Sequence, residues 1–137
     1  VAAATATDDP HQLSRAENIL GVISSDPDQA MGHLEEAMRL AGEDDLLSMA
    51  ALNNRALLHT AAGEDQPAVE LIEEAIQIAA RTGNRHREAA LFNHLADLHH
   101  RAGREDEAEQ QLMRAVSLFA DVNAGGQEPE VWLLRQW

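Results

Sequence analysis

Shifted by 40 residues, the stretch from Ala50 to Ala80 matches the stretch from Ala90 to Ala120. Ala50, Asn53, Ala56, Leu58, His59, Ala62, Gly63, Ala68, Ala75 and Ala80 fall on identical residues. Their counterparts are Ala90, Asn93, Ala96, Leu98, His99, Ala102, Gly103, Ala108, Ala115 and Ala120. Further pairs are similar in kind, such as Leu52 with Phe92 and Ile72 with Leu112. Self-similarity at a period of about 20–50 residues is the signature of stacked repeats, in which each unit buries its apolar side against the next.

The residue types decide which kind of repeat. Ala, Leu and Glu dominate and aromatics are only 3%, which favours closely packed helices. No strand signal interrupts them. The expected fold class is therefore all-α, a stack of antiparallel helix pairs. Composition also excludes chemistry. With no Cys there are no disulfides, thiolate metal sites or Cys nucleophile. A net charge of −14 argues against nucleic-acid binding, which depends on neutralising phosphates. All ten basic residues are Arg, which reads as the codon bias of a GC-rich genome. No apolar run approaches the roughly 20 residues of a membrane span. Val1–Thr7 has neither the basic start nor the apolar core of a secretory signal. A cytoplasmic protein is expected, and the missing initiator Met suggests a piece of something longer.

Taken in order, residues 1–8 are expected to be disordered, with a single domain over 9–137. Asp9-Pro10 opens a first helix, Asp serving as N-cap and Pro as first helical residue. Leu13, Ala16, Leu20 and Ile23 recur at helical spacing and are expected to form its core face. Ser24-Ser25-Asp26-Pro27 breaks that helix and caps a second, which carries Ala30, Leu34, Ala37 and Leu40 and ends at Gly42. Further helices are expected over about 44–62, from Asp65 to Gly83, over about 84–102, and over about 105–121. The repeats are thus about 10–42, 44–82 and 84–122. A loop over 123–127 then leads to a short capping helix over 128–137, opened by Pro129.

The spacing of small residues carries a family resemblance. Ala56, His59 and Gly63 are followed by Ala68, Ile72 and Ala75; the next copy reads Ala96, His99, Gly103, Ala108, Leu112 and Ala115. These resemble tetratricopeptide repeats, which place a small residue and an aromatic in the first helix, Gly at the turn, and Ala, a large apolar residue and Ala in the second. A degenerate earlier copy has Asn18 and Gly21 in its first helix and Ala30, Leu34 and Ala37 in its second. Arg55 departs from the pattern, whereas Leu95 keeps it. The repeat is longer than the usual of about 34 residues and is similar to the kinesin-light-chain type and to domains of bacterial regulators. The resemblance implies a right-handed superhelical stack whose first helices line a concave groove.

Charge sorts the same way. The three second helices hold 12 acidic residues against three Arg, and the first helices five against six. An inner layer richer in Arg suits an acidic or carboxylate-bearing peptide, because guanidinium forks bind carboxylates bidentately. The bland alternative is a solvated surface. Asn53 and Asn93 sit at equivalent places on the expected groove face, where an amide can donate to and accept from a peptide backbone. Leu57, Thr60, His94, Asp97, His100 and Arg101 continue these faces at helical spacing. The change from Leu57 to Asp97 implies a groove apolar at one end and polar at the other.

Metal and cofactor sites are not expected: seven His include no pair at i and i+4 with a carboxylate placed to bind zinc. His59 and His99 read instead as packing residues. There is no phosphate loop, nucleophile elbow or His-Glu-x-x-His. The expectation is a non-catalytic module that binds a partner's peptide or helix, within a bacterial regulatory or scaffold protein. The alternative is a self-associating scaffold that dimerises through Trp132, Leu133 and Trp137, residues that otherwise cap the stack.

Overall fold

The computed structural model describes residues 9–124, and side chains as far as Asp121. Residues 1–8, the 128–137 segment and Trp132, Leu133 and Trp137 lie outside that range. Six helices fill it: α1 (Pro10–Ile23), α2 (Pro27–Ala41), α3 (Asp45–Ala61), α4 (Asp65–Thr82), α5 (Arg85–Arg101) and α6 (Glu105–Ala124). The described residues contain no strand. Helix α6 runs three residues past its expected end at Asp121, two of them residues expected in the loop over 123–127.

Local chemistry sets the helix starts. The Asp9 carboxylate accepts from the His11 N–H at 3.0 Å, Asp26 from Asp28 at 3.0 Å, and Asp44 from Leu47 at 3.0 Å. Each satisfies a donor that the first turn leaves orphaned. The ends are set by glycine. Gly63 and Gly103 have φ of +75° and +78°, a region that costs other L-residues about 1–2 kcal/mol. That twist lets the Glu64 N–H reach the His59 carbonyl at 2.8 Å and the Arg104 N–H reach the His99 carbonyl at 2.8 Å, closing both helices in the same way.

The chain divides into two compact units, with the boundary between Leu71 and Ile72, inside α4. In the first unit α1 packs on α2, and α3 packs on both. Leu34 and Leu52 are fully buried there, among Ala30, Ala37, Ala51 and Ala56. Each such leucine contributes about 1.5–3 kcal/mol relative to exposure. In the second unit α5 packs along α6. Leu98, Ala96, Ala108 and Ala115 are buried, and Arg114 stacks 5.6 Å from the Phe92 ring centre. The small residues let helix backbones approach closely.

Helix α1 corrects the sequence expectation. Leu13 is half-buried, but Ala16, Leu20 and Ile23 are exposed. Its buried residues are Ser14 and Gly21. The Ser14 hydroxyl donates to the Ala37 carbonyl at 2.7 Å. A Cβ at Gly21 would lie 2.5 Å from Leu34 Cγ, inside contact distance of a side chain that is itself buried. The helix therefore presents its small and polar stripe to α2 because only that stripe permits the approach. Its apolar stripe is left outside.

Candidate functional site

In the first unit, two reversals of direction leave α1 and α3 running the same way, side by side. The Asn54 amide donates to the Asn18 amide oxygen at 3.0 Å, tying the two helices together. On α3, Leu57 is 45% exposed, unlike Leu52, which is fully buried. Asn53 is half-buried and already engaged in an interaction. Thr60 is half-buried, and its hydroxyl donates back to the Ala56 carbonyl at 2.9 Å. Leu57 is therefore the most outward of these three.

In the second unit the equivalent stripe is more polar and more tightly held. Asn93 is half-buried, and its side-chain oxygen is buried with no donor among the described residues. His94 is half-buried and engaged. Asp97 is buried, and its carboxylate accepts from Arg101 Nε at 3.0 Å. Arg101 lies over it with half its own side chain exposed. His100 Nδ1 meets the Glu105 carboxylate at 2.8 Å across the α5–α6 turn. The structure thus brings Asp97 and Arg101 together and makes Arg101 the outward group of that pair.

Electrostatics differ between the two turns. His59 Nδ1 sits 3.1 Å from a Glu64 carboxylate oxygen, so that nitrogen carries the hydrogen. His99 Nδ1 accepts from Arg104 Nε at 2.9 Å, so it carries none. Burial holds the His99 pKa below its ordinary value and the Arg104 cation lowers it further, against the opposing pull of Glu107 and Glu73. Elsewhere the acid is well solvated: Glu36 is bidentate to Arg39, whose hydrogen bonds hold its carboxyl below the usual range. Among the described residues no group of three or more His, Asp or Glu could hold a metal ion, and no helix is long and apolar enough to cross a membrane.

One stripe was missed from the sequence. The register that sets Asn18 and Gly21 against Ala56 and His59 is an offset of 38 residues. It also sets Arg15, Ile19 and Val22 against Asn53, Leu57 and Thr60. Arg15, Ile19 and Val22 are all exposed and share one side of α1 at helical spacing. The signal was available, but the core periodicity assigned to α1 hid it.

Comparison with known proteins agrees with this geometry. No curated protein matches the chain. The profile of the tetratricopeptide repeat matches residues 47–121, which takes in α3, α4, α5 and most of α6. With helix pairs, glycine turns and alanine contacts at the positions this repeat requires, the chain belongs to the tetratricopeptide repeat family.

Proposed function

We propose that this protein is a non-catalytic interaction module that holds a peptide or helix of a partner protein on the outward stripes of its first helices. Tetratricopeptide repeats generally mediate protein–protein interaction, and that is the coarse role the family gives this chain. The observation that carries the finer reading is Leu57. It is nearly half exposed on the helix in which Leu52 is fully buried. An apolar side chain held outward on a rigid helix is suited to anchor a partner. In the second unit, Arg101 offers a guanidinium fixed by Asp97. Its remaining donors suit a carboxylate, which supports a partner with acidic groups. Asn93, His94 and His100 border that position.

The test is capture of partners from lysate of the source organism by the full chain and by three variants. Leu57→Asp and Asn93→Ala alter the proposed stripes; Glu74→Arg alters an exposed position on α4. A partner kept by Glu74→Arg and lost by the other two supports the reading. Identical partners in all four samples refute it.

A further inference from the structure

Helix α1 has two opposite sides, and their characters are reversed. Ser14 and Gly21 are buried, while Ile19, Val22 and Ile23 are 60%, 62% and 70% exposed. At about 100° per residue, Ile19 and Ile23 stand on the side away from Ser14 and Gly21, with Val22 beside them. Three large apolar side chains exposed together mark a contact surface.

The two ends of this stripe carry opposite charges. Arg15 is exposed one turn before Ile19 and has no ion pair among the described residues. Asp26 is exposed just past the C-terminal end of α1. Its Oδ1 accepts from the Asp28 N–H at 3.0 Å, which leaves Oδ2 for a second donor. Three helical turns separate Arg15 from Asp26, so the two charges bracket the apolar group. The last turn of α1 holds no basic residue, so its negative dipole end lacks a cation of its own.

Such a stripe is complementary to itself turned end for end. Ile19 and Val22 are centred on the same point as Arg15 and Asp26. One two-fold axis there sets Ile19 against the partner's Val22 and Arg15 beside the partner's Asp26, and does each twice. Net charge favours this occupant at this place. Two copies at −14 each repel over most of their surface. The exposed side of α1 carries no carboxylate between its two ends, because Glu17 is turned to His33 Nδ1 at 2.6 Å.

We infer that two copies of this chain associate through α1, antiparallel, about that axis. One helix pair makes an interface smaller than the roughly 1,200–2,000 Å² of stable complexes, so the dimer exchanges with monomer. This does not depend on the interaction reading above, which uses Leu57 and the second unit.

The test is sedimentation of the full chain from about 1 µM to 1 mM, the range in which weak interfaces associate. The sedimentation coefficient should rise with concentration toward that of a dimer. Ile19→Asp should weaken association by about tenfold or more, with circular dichroism unchanged because Ile19 is exposed. Arg15→Glu sets like charges together at both ends and should weaken it by about tenfold. Adding Asp26→Asn, which keeps the cap on α2 and removes the charge, should recover part of that loss. A monomer at every concentration, or undiminished association in Ile19→Asp, overturns the inference. So does an Arg15→Glu variant that associates like wild type, or one that Asp26→Asn does not relieve. A dimer kept by Ile19→Asp and lost by Trp132→Ala overturns it in favour of the C-terminal segment. None of these outcomes bears on the capture experiment with Leu57→Asp and Asn93→Ala, which decides the other reading.

Discussion

The turn that closes α3 and the turn that closes α5 have one backbone and opposite electrostatics. In both, a histidine at the helix end reaches the residue just past the glycine. At Gly63 that residue is Glu64, and His59 Nδ1 must donate. At Gly103 it is Arg104, and His99 Nδ1 must accept. Duplicated geometry has thus been kept while one charge was exchanged. The stripes next to these turns diverge in the same manner. Leu57 and Asp97 are equivalent by the 40-residue shift, yet Leu57 is exposed and Asp97 buried. Their neighbours one turn on also differ. Arg101 covers Asp97, whereas the matching residue after Leu57 is Ala61, which covers nothing. Repeats preserve what the backbone needs and vary what the surface offers.

Breaking the shared backbone should have the largest effect and the same effect on both sides. Gly63→Val and Gly103→Val should each lose about 1–3 kcal/mol in urea unfolding, since a β-branched residue is strained at positive φ. No atom lies within 4 Å of a Cβ added at either site, so the cost is conformational in both. Clearly unequal losses would mean that the turns are not equivalent.

Exchanging the charges should convert one turn into the other at smaller cost. Arg104→Glu removes the cation that lowers the His99 pKa, so His99 should titrate at higher pH by NMR. The stability change should stay within about 1 kcal/mol, as for other exposed charge pairs. An unmoved His99 titration would show that burial acts alone.

The pH dependence follows from the same histidine. Its folded pKa is lowered from an ordinary 6.5, so below that pH the unfolded chain binds the proton more readily. The contribution is fully present above about 6.5 and is lost as pH falls toward the lowered folded value. His99→Phe should therefore be less acid-sensitive than wild type between pH 6.5 and 5, by urea midpoints. Parallel curves would contradict this. The smallest effect belongs to Leu57→Asp, which should change stability by no more than about 0.5 kcal/mol because the site is exposed. A larger loss would place Leu57 in the core.

Helix existence and most boundaries were legible in the residues because their causes are local. Asp9, Asp26 and Asp44 cap the chain that directly follows them, and Gly63 and Gly103 end the helices that directly precede them. The buried alanines were legible because the repeat states them twice. The shared face of Asp97 and Arg101 was legible from a spacing of four. The face of α1 was not. Its apolar residues follow helical spacing as a core stripe would, and periodicity alone does not say which side another helix will cover.

By itself, the amino-acid sequence determined an all-α repeat with its turns and its small-residue contacts, because caps, glycines and alanine spacing act over a few residues. Tertiary structure alone decided which stripe of α1 is buried. That choice depends on Leu34, thirteen residues beyond Gly21, filling the space where any Cβ would have stood. Tertiary structure likewise decided that Asp97 is buried while Leu57 stays outside. Burial is a property of what packs over a residue, and no residue encodes its own cover.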